Sequence, residues 1–381
     1  MQEDFHYYAT YAAAVLAGYS HDESLQICYS ANLVDSCSRT FLERIGAPHS
    51  AATTQLQLEM MKARLDRIGL QDITRIWASF HFLPGDLYAP VFHGFRMYRN
   101  KYRLICQPNS LLMEETVHLA LSKGPEAAGL AMHVLCDTWA HRNFAGTPSL
   151  VINNVSNQIW EWVPREDTLF RKPIHFRHNP ALPDNPEEGI YNCTLFQIPE
   201  NSIMNLGHGR AGHLPDYSFI RYSYMPAWGD YSIITKDNPS DYRHAFAQMV
   251  QALQYLRGTQ DHFRRDQYAW DVLSPHDDRI RSILTRRQTD ASRDWQAFGE
   301  SLSGEHIPPF DLERYQKEYR EASDREDTFL GRFIHAAQAQ KSMVVNAISS
   351  SGNPLAGSLV RRKPFGRFPH PTPGMFREAG S

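Results

Sequence analysis

Residues 129–146 read GLAMHVLCDTWAHRNFAG, and they determine how the rest of the chain is interpreted. His133, Asp137 and His141 recur every four residues in a predicted helix that is otherwise mostly apolar. Each step of four residues turns a helix about 40° past a full turn, so the three side chains follow one slowly drifting stripe. Two imidazoles and a carboxylate inside a buried helix are costly without a partner. The stripe therefore predicts either a divalent metal site or a hydrogen-bonded polar layer in a helical core.

Composition and charge argue against several classes of protein. The chain has 381 residues, with 39 Lys and Arg against 42 Asp and Glu, so no strong field favours a stable nucleic-acid complex or an anionic membrane. The length suffices for one large core, and no apolar run reaches the roughly 18 residues of a transmembrane helix. There is no GxSxG elbow, no Walker loop and no GxGxxG after a predicted strand, which disfavours serine hydrolases, NTPases and dinucleotide oxidoreductases.

The N-terminal region does not have the pattern of a secretory signal. It reads MQEDFHYYATYAAAVLAGYS, with acidic residues where a signal carries Lys or Arg and with tyrosines in its apolar part. The cysteines are odd in number and form no CxxC pair, which is typical of free thiols in a reducing compartment; they are Cys28, Cys37, Cys106, Cys136 and Cys193. We therefore expect a cytoplasmic protein, with export by a route without a cleaved signal left open. Neither pattern indicates an oligomeric state.

Helical periodicity dominates the chain outside one central region. Ser20 and Glu23 have the spacing of a capping box, and Gly18 and Gly69 are predicted helix ends. Residues 72–83 are apolar but too short for periodicity to separate helix from strand. The remaining pattern predicts helices at 5–18, 20–37, 51–68, 110–123, 126–142, 241–257, 278–302 and 311–347.

The central region, 147–240, is rich in Pro, Asn, Gly and aromatic residues and has weak periodicity. It is too long for a structureless connection, so it is either an insertion with short strands or a set of loops that form a pocket. We predict a mainly α protein with a single large helical, metal-binding domain over 1–350 that contains this loop-rich insertion. The Pro- and Arg-rich residues 351–381 are predicted to form an extended or disordered tail.

Six further residues are candidate metal ligands. Each one alone has an ordinary explanation, such as a histidine at a helix start or a core histidine between two phenylalanines. Three lie in the glycine-rich segment NLGHGRAGHLPD, where the backbone and imidazoles can approach a common point. Together with the stripe on 129–146 they make nine candidates, enough for two metals; the six are His6, Asp35, His81, His208, His213 and Asp216.

The order of these motifs resembles the zinc-dependent phospholipase C / P1 nuclease superfamily. The shared order is a His near the N-terminus, an Asp after the second helix, a Trp…HF segment, the central helix, and a late His with a nearby carboxylate. The segment DTWAHRNFAG is similar to the Het-C-like relatives, and DFHYYATY with GHGxxGHxPD resembles a bacterial branch. The resemblance extends over residues 4–260 in the order of motifs.

The resemblance implies a set of zinc ligands. Asp35, His81, His133 and Asp137 would surround a first zinc; His141 with His213 or His208 and Asp216 would hold a second; His6 would reach a third and share Asp137. Two departures argue against three metals. Enzymes of the superfamily begin at a processed tryptophan whose amine and carbonyl bind metal, and this chain has no such residue. Their central helix separates the Asp and the second His by six residues, whereas Asp137 and His141 are separated by four. A mono- or dinuclear site is therefore the expectation.

The resemblance also implies an activity, the hydrolysis of a small-molecule or lipid phosphoric ester by a metal-activated water. Asp35 or Asp137 would act as general base. Arg142 and Arg210 lie beside candidate ligands in sequence, and we expect them either to bind the phosphate or to be ordinary surface or ion-paired arginines.

Two other functions use the same residue types. A non-haem iron oxygenase acting on a small molecule also binds its metal through histidines and a carboxylate, so iron is the alternative to zinc. The metals could instead have a purely structural role and stabilise the helices of a non-catalytic interaction or toxin module. An HD-type phosphohydrolase is disfavoured, because His21–Asp22 falls in a capping turn and His276–Asp277 follows Ser-Pro in a predicted loop.

Overall fold

The computed structural model describes residues 1–63, 66–90, 96–155, 157–165, 168–176, 189–191, 206–229 and 232–357. This part of the chain is mainly α-helical, as predicted, with one small sheet. Among the described residues, no helix is both long and apolar enough to cross a membrane. A π-helical segment, Asp4–Ala9, precedes the α-helices, which are α1 Thr10–Leu16, α2 His21–Leu33, α3 Arg39–Ile45, α4 Gln57–Ala63, α5 Arg67–Phe80, α6 Arg96–Tyr102, α7 Leu111–Ala120, α8 Gly124–Ala140, α9 Leu150–Asn153, α10 Gly207–Arg210, α11 Asn238–Leu256, α12 Trp270–Leu273, α13 Asp277–Thr285, α14 Ser292–Ser303, α15 Leu312–Glu321 and α16 Phe329–Ser350.

Helix α5 departs most from the sequence prediction. A helix over 51–68 that ends at Gly69 was the expectation, with 72–83 undecided. Instead, the side chain of Asp66 accepts a hydrogen bond from the backbone N–H of Gly69, so Asp66 caps the start of α5. Gly69 therefore lies in the first turn of a helix that continues to Phe80, and the prediction that a helix ends there was wrong.

Two long predicted helices are each divided in the structure. The region 278–302 forms α13 and α14, and the region 311–347 forms α15 and α16. The start of α16 is fixed by Thr328, whose hydroxyl accepts a hydrogen bond from the N–H of Gly331. Such a side-chain cap starts a new helix without any change in apolar periodicity. The capping box predicted at Ser20 and Glu23, in contrast, is present at the start of α2.

The predicted insertion contains an antiparallel four-stranded sheet with strand order β2-β1-β3-β4. Its strands are β1 Asn157–Arg165, β2 Thr168–Pro173, β3 Arg221–Met225 and β4 Ile234–Asp237. The described part of 147–240 is therefore an insertion with short strands, whereas 177–188 and 192–205 lie outside the described residues. Of the predicted tail, only the residues up to 357 are described. A second apolar cluster, which includes Phe82, Phe144 and Tyr222, lies at the sheet.

Helix α8 runs through the main core, and every residue from Glu126 to its end is buried. It contacts α2, α7, α11 and α16, so its polar stripe is enclosed by other elements. Gly129 permits the closest of these approaches, because a Cβ added there would lie 2.1 Å from the carbonyl oxygen of Ile27 on α2. The close packing of α2 on α8 places the end of α2, and the turn that holds Asp35, beside the stripe.

Candidate metal centre

The stripe predicted on α8 faces inward. His133 and Asp137 are completely buried within the helix, and His141 forms its C-terminal cap and is also buried. Their four-residue spacing keeps the three side chains on one side of α8. His81, the residue that ends α5, approaches the same place, with its Nδ1 3.1 Å from Oδ2 of Asp137. The helix and a distant segment therefore meet at one carboxylate.

Hydrogen bonds to backbone carbonyls orient three of the imidazoles. His133 Nδ1 lies 2.9 Å from the oxygen of Ala31, and His141 Nδ1 lies 2.7 Å from the oxygen of His81. His81 Nε2 lies 3.1 Å from the oxygen of Thr53. Since a carbonyl oxygen only accepts, each of these outer nitrogens carries a proton. In the neutral ring the other, inner nitrogen then presents its lone pair to the stripe, as in metal-binding histidines.

The inner nitrogens of two rings converge on one carboxylate oxygen. His133 Nε2 is 3.3 Å from His81 Nδ1, and both lie close to Oδ2 of Asp137, at 3.2 and 3.1 Å. With both rings in the neutral form, the two lone pairs and the carboxylate oxygen have no proton between them and cannot form hydrogen bonds with one another. Burial makes such an arrangement costly unless a positive charge joins it. The donor set of two imidazoles and one carboxylate suits a divalent transition metal.

His6 brings the N-terminal π-helical segment to the same carboxylate. Its Nε2 is 3.3 Å from Oδ1 of Asp137, is fully buried, and has no hydrogen-bond partner among the described residues. Its Nδ1 contacts the thiol sulfur of Cys136 at 3.4 Å. Burial, with a smaller contribution from His133, lowers the pKa of His6 to about 4, so the ring is neutral at physiological pH and can bind a metal.

Asp35 lies on the solvent side of this group. Its side chain is 42% exposed, and its carboxylate oxygens lie 3.8 Å from His6 Nε2, 3.8 Å from His81 Nδ1 and 3.9 Å from His133 Nε2. The distances place Asp35 just outside the buried ligands. It is therefore the one carboxylate of this group that reaches both the buried imidazoles and solvent.

A second group lies at the other end of the stripe, where His141, His208 and Asp216 meet. His208 Nε2 is 3.0 Å from Oδ1 of Asp216, and His141 Nε2 is 3.7 Å from the same oxygen. Burial lowers the pKa of His141 to about 4, so this ring is also neutral. His213 contacts the other oxygen of Asp216 at 3.3 Å, but its side chain is 40% exposed. Among the described residues, it belongs to no set of three or more His, Cys, Asp or Glu whose ligand atoms all lie within 4.8 Å of one another.

The amino group of Met1 lies between the two groups, which the sequence did not predict. Its nitrogen is 2.8 Å from Oδ1 of Asp137 and 3.4 Å from Oδ1 of Asp216. Burial by itself would lower the pKa of this amine, but Asp137, Asp216 and Asp35 outweigh it and raise the pKa to about 11. The ammonium thus occupies the position in which a cation would link two buried carboxylates. In the superfamily that the motifs resemble, an N-terminal amine binds metal, and this feature could have predicted the contact.

Neighbouring positive and polar groups also keep both carboxylates ionised. Burial opposes ionisation, yet His141, the Met1 ammonium and His133 hold the pKa of Asp137 well below its usual range. His208 and the same ammonium act in this way on Asp216. Two buried carboxylates that stay ionised among imidazole nitrogens are an electrostatic setting that favours the binding of a divalent cation.

The two arginines predicted to bind phosphate lie elsewhere. The Arg142 guanidinium pairs with Asp241 at 3.3 Å, and Asp241 also accepts from the fully buried Lys236 at 2.6 Å. Arg210 is buried on α10. Neither arginine is among the described residues that line the cavity at the metal-type ligands. A role for them in catalysis stays a prediction, as do the catalytic roles of Asp35 and Asp137.

A cavity of about 390 Å³ opens beside these ligands. Its volume is in the range of small-molecule binding sites. Met1 and members of both clusters line it, so a molecule in the cavity would contact candidate metal ligands directly. Its described lining is Met1, Asp35, Gln55, Gln57, Met60, Met61, Trp77, His81, Phe82, Asp137, His141, Leu206, His208, Gly209 and Asp216.

Fold and site together define a mainly α-helical protein with several buried clusters of His, Asp and Cys that could hold metal ions. A family model described as "Family of unknown function (DUF6765)" matches residues 1–348, and the chain belongs to this family. No curated protein and no solved structure matches the chain. The resemblance to the phospholipase C / P1 nuclease superfamily stays a prediction.

Proposed function

We propose that the protein is a metal-dependent hydrolase of phosphoric esters, with zinc as its metal. The observation that carries the proposal is the convergence of the inner nitrogens of His81 and His133 on one carboxylate oxygen of Asp137. His81 and Asp137 line a cavity of small-molecule size. A purely structural metal site is normally closed to ligands, so the open cavity favours catalysis over a structural role.

Two ions fit the donor atoms. His81, His133 and Asp137, with His6, would hold one ion, and His141, His208 and Asp216 would hold the other. The two oxygens of Asp137 face different partners, since Oδ2 faces His81 and His133 whereas Oδ1 faces His6 and the Met1 amine. Metals bound there would lower the pKa of a bound water and neutralise charge on a phosphoryl oxygen.

Asp35 is the better placed of the two predicted general bases. Both residues line the cavity, but Asp137 is completely buried and surrounded by nitrogen atoms, which suits a ligand, whereas Asp35 is 42% exposed. In the reaction, a water oxygen bonds to phosphorus as the P–O bond to the alcohol breaks. Asp35 takes the proton of that water, and the departing alkoxide gains a proton to leave as the alcohol.

Hydrolysis of p-nitrophenyl phosphate and bis(p-nitrophenyl) phosphate tests the proposal. Zinc-loaded protein should turn over at least one of them, and removal of metal with a chelator should abolish turnover until zinc is restored. We expect Asp35→Asn to lower kcat about 100-fold or more, while Asp22→Asn, at an exposed carboxylate in the first turn of α2, leaves it unchanged. Absence of turnover by zinc-loaded protein with either ester would contradict the proposal.

A non-haem iron oxygenase is the second candidate, because His81, His133 and Asp137 are the two histidines and one carboxylate of a facial iron site. It predicts that protein purified without added metal contains iron. Iron in that preparation, together with no turnover of either ester after zinc loading, would favour the oxygenase over the hydrolase.

A further inference from the structure

Apolar side chains, here called the apolar wall, line the cavity beside the metal-type ligands: Met60, Met61, Trp77, Phe82 and Leu206. They come from α4, from α5 and the turn after it, and from the residue before α10. The ring of Trp77 lies 4.9 Å from that of His81, and the ring of Phe82 lies 4.7 Å from that of His141. A molecule that fills about 390 Å³ therefore contacts both the metal-type ligands and apolar side chains.

Gln55 provides a polar group beside the apolar wall. Its side chain is 6% exposed, and its Oε1 accepts a hydrogen bond from Trp77 Nε1 at 3.1 Å. Because the indole N–H is only a donor, this contact fixes which end of the amide faces Trp77. The amide Nε2 is buried and has no hydrogen-bond partner among the described residues. A buried donor without a partner is costly, and an oxygen of a bound molecule would satisfy it.

The described lining contains no Lys or Arg. Arg142, which lies outside the lining, pairs with Asp241 at 3.3 Å, and the ammonium group of Met1, a lining residue, pairs with Asp137 and Asp216. A polyanion such as a nucleoside triphosphate or a nucleic-acid strand would bring several charges that no described side chain of the cavity can balance. A molecule with one phosphoryl group needs only the charge of the bound metals and the hydrogen bond from Gln55.

The apolar wall suits a compact ring or branched group. Trp77 is partly exposed, and aromatic groups pack against an indole ring in offset or edge-on arrangements, whereas Phe82 is buried with its ring stacked on His141. Met60 lies on α4, a short helix without a fully buried residue, and methionine side chains adapt to the shape of what they contact. The apolar wall thus favours substrates with an apolar group and accommodates groups of different shape.

We propose, on the basis of the hydrolase function above, that the substrate is a phosphoric ester of a compact apolar alcohol, aryl or branched alkyl. Gln55 donates its free amide N–H to a non-bridging phosphoryl oxygen and so contacts the substrate directly. Met60 and Trp77 hold the apolar group. The cavity discriminates against substrates with several phosphates, because its described lining offers them no cationic side chain.

Binding of phosphonates, which carry a phosphoryl group that is not hydrolysed, tests the ligand class without turnover. Titration calorimetry on zinc-loaded protein should show phenylphosphonate binding at least about tenfold more tightly than methylphosphonate, since the phenyl group is buried. ATP should bind no more tightly than methylphosphonate. We expect Gln55→Ala to weaken both phosphonates by a similar factor, about tenfold, and Met60→Gln to reduce the preference for phenyl severalfold.

Leu58→Gln is the matched control, because Leu58 is on the same helix, is 71% exposed and does not line the cavity. It should leave both affinities unchanged. If phenylphosphonate shows the expected pattern but no ester is hydrolysed, the hydrolase function fails and the ligand class stands. If esters are hydrolysed but methylphosphonate binds as tightly as phenylphosphonate, or Leu58→Gln acts like Met60→Gln, the ligand class is overturned and the hydrolase function stands.

Discussion

Four histidines of the candidate centre are held by the ring nitrogen that points away from the other ligands. Ala31, Thr53 and His81 supply carbonyl oxygens to three of the rings. His6 differs, because its outer nitrogen meets the sulfur of Cys136 instead of an oxygen. The same thiol donates to the carbonyl oxygen of His133 at 3.3 Å, which leaves a sulfur lone pair for the His6 N–H.

Cys136 should therefore position His6 without binding the metal. Burial raises the pKa of its thiol well above the usual range, so the sulfur stays protonated in the metal-free protein. Cys136→Ala should weaken zinc binding about tenfold, because partners that orient metal ligands typically contribute 10- to 100-fold to affinity. Cys136→Ser, whose hydroxyl can accept the same proton, should retain most of the affinity, as measured by competition with a chromophoric chelator.

Cys28→Ala is the control for this measurement, since Cys28 is buried on α2 and its thiol donates to the carbonyl of Leu25. It should leave zinc affinity unchanged. The cobalt-substituted protein should lack the near-ultraviolet charge-transfer band of a cobalt–thiolate bond. A strong band that disappears in Cys136→Ala would show that the sulfur is a ligand and would refute the positioning role.

Helix α8 and its contact with α2 determine whether the ligands meet. The α2–α8 approach at Gly129 is closer than a side chain at that position permits, with the carbonyl oxygen of Ile27 2.1 Å from an added Cβ. The obstacle is backbone, which cannot move aside as a flexible side chain can. The turn after α2 carries Asp35, so this packing also positions a residue of the cavity.

Gly129→Ala should accordingly destabilise the protein. In an unobstructed helix interior the same change stabilises by about 1 kcal/mol through helix propensity. Here we expect the free energy of unfolding to fall by at least about 2 kcal/mol, because α2 and α8 must separate. Urea denaturation of the two proteins measures the difference. An unchanged or increased free energy of unfolding would show that the two helices are not in close contact.

Local sequence patterns predicted some elements well and others poorly. The capping box at Ser20 and the stripe on 129–146 depend on residues within one helix, and both were present. The divisions within 278–302 and 311–347 were missed, because apolar residues continue on both sides of each break. The start of α5 was missed because Asp66 was not recognised as a cap.

The molecule as a whole brings distant segments to one place. His6, His81 and His208 lie near the stripe of α8 although they belong to separate parts of the chain. The residue types of the nine candidate ligands could be read from the sequence, and the resemblance supplied their grouping. The Met1 amine, the Cys136 thiol and the free amide of Gln55 could not be found in this way, because their roles depend on distances between segments.

Elemental analysis of protein purified without a chelator and dialysed against zinc tests the central claim, that these segments enclose metal ions. We expect about two ions per chain in the unaltered protein, and the loss of at least one in His133→Ala and in Asp137→Asn, which keeps the shape of the side chain. His306→Ala, at an exposed histidine, should retain the full content. Full retention in both folded site variants, or no metal in the unaltered protein, would contradict the account.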